Sequence, residues 1–242
     1  MPEVSIVMTA RKRALQLEQT LPSIYSQGFK DFEVICVEDG DDGGATKAIC
    51  ERYGVRYFRR EHRPDRPYSN PAVPNNIGLR QARGEIILIQ NAEISHVSEE
   101  LINRLCGPVR EDAMVSTFAS VMALNPDGTD KSWYVHSKHN PRPFFFCQAL
   151  RKSVVERLRG FDEDYLYYGY DDDDFALRLK FAGIELRFMD DLLAHHLWHE
   201  SSGFCYGLED NRRTFEKKLA QMMRREIGVE RNLGREWGSL DS

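Results

Sequence analysis

Long apolar runs are missing: nowhere in the 242 residues is there a stretch near the roughly 20 needed to cross a bilayer. That excludes a membrane-spanning helix as an organising element. Met1 to Met8 has no basic start and the chain reaches Arg11 almost at once, so no signal peptide is expected. A cytoplasmic protein follows, with peripheral contact at a membrane left open. Cysteine is sparse: Cys36, Cys50, Cys106, Cys147 and Cys205 show no CxxC spacing, and an odd count does not close a disulfide framework. Buried thiols are expected. Excess positive charge is also absent, since a net charge of −5 gives no global attraction to nucleic acid, and no dedicated nucleic-acid binding is expected. There is no internal repeat and no low-complexity tract.

What remains is a chain of ordinary globular make-up, 41% hydrophobic and 29% charged, long enough for one large α/β domain with an appendage. Its first hundred residues alternate short β-type runs with helical ones, the pattern of a parallel sheet covered by helices. Strands are predicted at Val4 to Met8, Phe32 to Val37, Val55 to Phe58 and Glu85 to Ile89. Helices fall between them at Leu15 to Tyr25, Ala45 to Tyr53 and Asn75 to Ala82. This is a βαβαβ nucleotide-binding layout, and the nearly continuous apolar run "EIILI" suits a central strand buried on both faces. Arg59 to Pro74, rich in Arg and Pro, reads as a loop able to lie over a ligand.

The second half reads as a mixed α+β extension. A helix is predicted from Ser98 to Cys106, β-structure in "AMVSTFASVMAL" and a turn at Asn125 to Gly128. Helices follow at Lys152 to Leu158 and Asp172 to Ala182, then a strand at Ile184 to Phe188. From Asn211 to Arg225 an amphipathic helix puts Phe215, Leu219 and Met222 on one side, and packing against the domain is favoured over a membrane or oligomer contact.

Three constellations carry chemistry. Carboxylates follow two strands: Glu38 and Asp39 after the second, Glu93 after the fourth, where open α/β sheets bind ligands. Capping of the turn is an equal reading for "EDGDDGG". Four aspartates, Asp171 to Asp174, precede the helical pattern of Phe175 and Leu179. The helix dipole stabilises such acids, but four exceed what a cap requires, and crowding raises proton affinity as a general base needs. His195, His196 and His199 end an apolar run, and one of them with Glu93 and two diphosphate oxygens would offer a mixed N/O shell to Mn²⁺ or a similar ion.

At these residues the chain resembles the family-2 glycosyltransferases of the GT-A fold, from Val4 to about His199. The family's "VVDDGS" is similar to "ICVEDGD", its "RNxGxxxAxGEYIxFLDADD" to "NNIGLRQARGEIILIQNAEI", and its "GEDxDLxxRLxxxG" to "YDDDDFALRLKFAG". "RRxxxxxxGGFDE" resembles "LRKSVVERLRGFDE", and "HLWH" is shared with related transferases. The resemblance implies a single GT-A domain over residues 1–200, with a Rossmann-like nucleotide-binding half at 1–97, a smaller acceptor-binding half at 98–200, and a C-terminal helical extension at 201–242.

It also implies roles. Thr9, Ala10 and Arg11 fall beside the nucleotide, Asp39 on the reader of the uracil edge with Glu38 close by, and Asn75 and Asn76 near the donor. Asn91, Ala92 and Glu93 fall on the metal-binding DxD triplet, in which Asn91 lacks the charge of the acid it replaces. Glu93 with His199, and His196 as a second candidate, are the expected ligands of Mn²⁺ or Mg²⁺. Asp171 and Asp172 fall on the Glu-Asp pair, Asp172 on the general base. The expected reaction is an inverting transfer from a nucleoside diphosphate sugar, foremost a UDP-sugar, to an acceptor hydroxyl in glycan or glycoconjugate biosynthesis. Aromatic residues such as Tyr167, Tyr168 and Trp198 offer faces to a sugar. A binding protein without catalysis and a nucleotidyltransferase are the rivals. The second lacks a glycine-rich basic phosphate loop, and the first leaves the aspartates and histidines without a task.

Overall fold

In a computed structural model, residues 1–61, 70–135, 139–200 and 207–240 are described, and they form one nine-stranded mixed sheet with helices packed against it. The strands are β1 (Val4–Ala10), β2 (Phe32–Asp39), β3 (Arg56–Arg60), β4 (Ile86–Asn91), β5 (Ile94–His96), β6 (Val115–Leu124), β7 (Asp130–Val135), β8 (Cys147–Arg151) and β9 (Glu185–His196). Their order across the sheet is β3-β2-β1-β4-β8-β6-β9-β5, with β7 on β6. The first four are parallel; β8 then runs antiparallel between β4 and β6.

The parallel half follows from its sequence. Ile6, Val7, Ile35, Val37, Ile87 and Leu88 are fully or almost fully buried, because helices cover both faces of a parallel sheet and leave no polar alternation. Helix α1 (Ala14–Tyr25) buries Leu17, Leu21 and Ile24, the helical spacing that the sequence displays. Helices α2 (Ala45–Tyr53) and α3 (Ala72–Gln81) complete this half, and α3 packs on β1 and β2. Gly84 lets the turn into β4 press on β1: a Cβ there would lie 2.7 Å from the Ser5 backbone nitrogen.

The second half contains α4 (Leu101–Glu111), α5 (Lys152–Leu158), α6 (Asp171–Phe181) and α7 (Leu208–Met223). Three strands here escape the sequence reading: β5, β7 and β8. The strand predicted to end at Phe188 continues to His196, past the polar Asp190 and Asp191 that interrupt its apolar pattern. A register shift against β6 between Ala119 and Ser120 absorbs that interruption.

The loop expected at Arg59 to Pro74 is shorter, since β3 reaches Arg60 and α3 starts at Ala72; residues 62–69 lie outside the described residues. Of the cysteines, Cys36, Cys50, Cys106 and Cys147 are buried free thiols, and Cys205 lies outside the described residues. No described helix is long and apolar enough to cross a membrane.

Within the expected C-terminal extension, the described residues 207–240 hold more than a helix. After α7 the chain turns back as an irregular strap, and Arg231, Asn232, Trp237 and Gly238 are buried against the domain. Asn232 donates to the carbonyls of Arg159 and Phe161, and the Gly238 N–H donates to Glu163 Oε1 at 2.8 Å. Behind α6 this strap meets Arg178, the largest fully buried side chain. Arg178 pairs with Asp174 at 2.6 Å, and Arg231 approaches both Asp174 (3.4 Å) and Asp162 (3.1 Å). Buried charges persist where each finds a partner, and here each does.

Candidate active site

Parallel strands deliver their C-terminal ends to one edge of the sheet. The register brings Thr9 level with Val37 and Asn91, and Ala10 level with Glu38, so Thr9, Ala10, Glu38, Asp39 and Asn91 share that edge, with Arg11 following β1. Glu38 is buried, accepts hydrogen bonds from the Tyr57 hydroxyl and the Asp42 N–H, and burial pushes its carboxyl up. Asp39 stands buried against Arg60, whose Nη1 lies 3.4 Å from Oδ1. Asp41 and Asp42 approach Glu38 closely, yet Arg59 pairs with Asp41 and Thr46 donates to Asp42. Those acids already have donors, as the capping reading expects.

Asn75 and Asn76 lie on α3, and Asn75 Oδ1 is buried with no hydrogen-bond partner. Both are buried, and Asn76 spends its amide inside the protein: Nδ2 donates to Phe161 O (2.9 Å) and Glu163 Oε1 (2.8 Å), while Oδ1 accepts from Phe161 N (2.7 Å). Its task is to hold the "GFDE" turn. Gly160 belongs to the same joint, at φ +68° with its missing Cβ facing Asn76 Oδ1 and Trp237.

A tight turn after β4 sets the pole formed by Asn91, Ala92 and Glu93. The Ala92 N–H donates to Thr9 O (3.1 Å), the Gln90 amide donates to Ile94 O (3.2 Å), and Leu197 N donates to Glu93 O (2.9 Å). Pairing of β5 with β9 sets Ile94 opposite His196. Alternation along β9 then puts His196 on the side of Leu192 and Ala194, all three buried, and His195 on the other. As a result Glu93 Oε1 lies 3.7 Å from His196 Nε2 and 3.5 Å from His199 Nε2. His195 is not part of the cluster.

Glu93, His196 and His199 each offer one ligand atom, and these atoms all lie within 4.8 Å of one another. Burial pushes the Glu93 carboxyl up, but His199, His196 and Arg13 outweigh it and hold the group below the usual carboxylate range. Burial also holds His196 below the ordinary imidazole value. An ionised carboxylate with a neutral imidazole is the state a metal requires of its ligands, so the residues fit a divalent cation of the N/O-binding kind.

The second pole is the N-terminus of α6, whose four aspartates divide. Asp174 faces backwards to Arg178, and Asp173 takes a two-pronged contact from Arg142 at 3.0 and 2.6 Å. Asp171, only 4% exposed, accepts from Asn70 Nδ2 at 3.1 Å, and its Oδ2 has no hydrogen-bond partner. Burial pushes Asp171 up to about 6. Asp172 is raised well above the ordinary carboxyl range by burial and by its neighbours Asp171 and Asp173.

Two residues outside the sequence expectations shape this pole. Asn211, 2% exposed in the first turn of α7, donates to the carbonyls of Tyr167 (2.7 Å) and Gly169 (2.8 Å), and Asn70 donates to the same Tyr167 carbonyl at 2.6 Å. Together they pin the loop that launches α6. Neither offers a local signal, because an asparagine that bonds backbone 40 residues away looks like any loop or surface asparagine. The amphipathic stripe of α7 packs only in part: Met222 is buried, Phe215 and Leu219 half-buried.

The two poles meet at the segment entering β8. The Phe145 backbone N–H bears on the Asp172 carboxyl and opposes its upward shift, and the ring of the next residue, Phe146, lies 5.5 Å from that of His196. Tyr134 closes on His196 from another side at 4.9 Å. Trp198, 42% exposed, sits at the rim, where its carbonyl accepts from Gln16 at 2.9 Å.

A parallel half continued by a mixed one in a single central sheet, with helices packed against it, is the architecture of the GT-A fold. Residues 5–178 match the sequence profile of Glycosyl transferase family 2, and the chain belongs to that family of transferases. Among solved structures, a mannosyltransferase from Pyrobaculum calidifontis, in complex with GDP-Man and Mn²⁺, superposes with a TM-score of 0.65 at 18% identity, covering 92% of this chain and 64% of that one. GalNAc-T7 with UDP, GalNAc and Mn²⁺ gives 0.68 at 14%, covering 84% and 44%. O-antigen biosynthesis protein RfbC of Myxococcus xanthus is 25% identical over 215 residues, 76% of this chain and 16% of that protein. A β-1,3-glucosyltransferase of Campylobacter jejuni that acts on GalNAc(5)-diNAcBac-PP-undecaprenol is 32% identical over 92 residues, 36% of this chain and 28% of that protein. The chain thus spans less than a third of the length of these curated relatives.

Proposed function

We propose that the protein transfers a sugar, with inversion, from a nucleoside diphosphate sugar to an acceptor hydroxyl in the assembly of a glycan. The observation that carries this reading is the grouping of Glu93, His196 and His199 at one side of the segment entering β8, with the buried acids that open α6 at its other side. A sugar held there has a raised carboxylate at one flank and cation ligands at the other.

Thr9, Ala10, Arg11, Asp39 and Asn91 line the strand edge as the nucleotide-binding surface, with UDP the favoured nucleotide, and Asn91 meets the ribose as an uncharged donor or acceptor. Glu93, His196 and His199 would hold Mn²⁺ or Mg²⁺, which when bound neutralises charge on a departing diphosphate. Asp172 accepts the acceptor's hydroxyl proton as the oxygen attacks the anomeric carbon opposite the leaving diphosphate. Inversion follows from that opposition. Asp171 raises the proton affinity of Asp172 and so suits it to proton transfer near neutral pH.

Incubation with UDP-, GDP- and dTDP-sugars, with and without Mn²⁺, tests the reading through nucleotide release and the anomeric configuration of the product. An α-linked donor yielding a β-linked product is the expected result. A retained configuration, or tight nucleotide binding with no transfer to any offered acceptor, would overturn it.

A further inference from the structure

Arg13 precedes α1 in a short basic run, and its guanidinium turns inward to the Glu93 cluster. Its side chain is only 13% exposed, with Nε 3.8 Å from Glu93 Oε2 and Nη2 3.4 Å from His199 Nε2. Nη1 donates to the carbonyls of Arg11 and Lys12, both at 3.2 Å, which holds the group in place from behind. Lys12 takes a left-handed conformation, φ 54°, to make that fold-back.

His199 Nε2 is approached by Arg13 Nη2 at 3.4 Å and by Glu93 Oε1 at 3.5 Å, so guanidinium, imidazole and carboxylate share one small space. A fixed positive charge beside a buried acid offsets the cost of burying it. The guanidinium supplies that charge.

We infer that Arg13 is the resident counter-cation of this cluster, and that Arg13 and a divalent cation exclude one another there. The inference rests on the reading of Glu93, His196 and His199 as cation ligands. With no metal bound, the Arg13 guanidinium stands against Glu93 and His199 where a cation's charge would sit, and it must leave both before a metal enters. The free protein therefore binds a divalent cation weakly.

Mn²⁺ titration of the nucleotide-free protein, followed by electron paramagnetic resonance, is the test. Arg13→Gln should bind Mn²⁺ at least about tenfold more tightly than the unsubstituted protein, because a unit charge near the ligands is gone, whereas Arg13→Lys should stay close to it. Equal or weaker binding by an Arg13→Gln protein that melts cooperatively overturns the inference. A crystal soaked in Mn²⁺ answers without any substitution: metal on Glu93 with the guanidinium withdrawn supports exclusion, and metal with Nε still within about 4 Å of Glu93 overturns it. Glu93→Gln separates this from failure of the parent reading. If that variant loses Mn²⁺ while Arg13→Gln is unchanged, the cation site stands and the competition falls; if Glu93→Gln binds Mn²⁺ undiminished, both fall.

Discussion

The carboxylates at the two poles lie in opposite electrical surroundings. Glu93 is ringed by Arg13, His196 and His199 and is held ionised, while Asp171 and Asp172 face each other and a buried wall and are held towards their protonated forms. In the proposed reaction the same chemical group would serve as a fixed negative charge on one side and as a proton acceptor on the other, because the two environments push its proton affinity apart. The aspartates that do not take part show how it is kept: Asp173 and Asp174 each carry an arginine.

The most damaging way to break the contrast is Asp172→Asn, which removes the proton acceptor. Transfer should fall on the order of a thousandfold, with donor binding by calorimetry unchanged. Glu93→Gln strikes the other pole, and Mn²⁺ affinity should drop about a hundredfold or more, measured by the same titration in the presence of UDP.

Asp171→Asn sharpens the contrast through pH. The folded-state value of Asp171, about 6, is above the unfolded one, so its stabilising contribution is present at low pH and is lost as pH rises through about 6. Near pH 8 the variant should be more stable than the parent by on the order of 2 kcal/mol in urea melts, and the gain should vanish near pH 4. Glu93 has the reverse sign: its contribution is present above the unfolded value and fades as pH falls through its lowered one. The low-pH limb of activity should also move downward in Asp171→Asn, since one source of the raised affinity of Asp172 is gone.

The smallest effect is expected at Asn211→Ala, which frees the carbonyls of Tyr167 and Gly169. Stability should fall by about 1–3 kcal/mol, and kcat should fall about tenfold with little change in donor KM, since the loop launching α6 loosens.

Much of the donor edge was legible in the residues themselves, because buried parallel strands announce themselves as apolar runs and α2 and α5 have the predicted bounds. The acidic helix was equally plain. What escaped depended on distant partners. Strand β5 has only three residues, too few for a period, yet its pairing with β9 is what sets Glu93 beside the histidines. Motif order placed Asn76 near the donor, and only the long-range bonds to Phe161 and Glu163 show its amide engaged elsewhere. Arg13 looked like part of a basic run. Its meaning comes from Glu93, 80 positions on.

The strap behind α6 bears on the order of events during synthesis. Asp162 and Asp174 are emitted early from the ribosome, but Lys218 and Arg231, which meet them, come more than 50 residues later. Until then Asp162 lacks its partners Lys218 and Arg231, and Asp174 has Arg178 alone. The nascent chain can assemble its parallel donor half first, since β1 to β4 need nothing beyond Asn91 for their pairing. The helix proposed to carry the base is braced last, so a chain released before the strap emerges would have its parallel half without that brace.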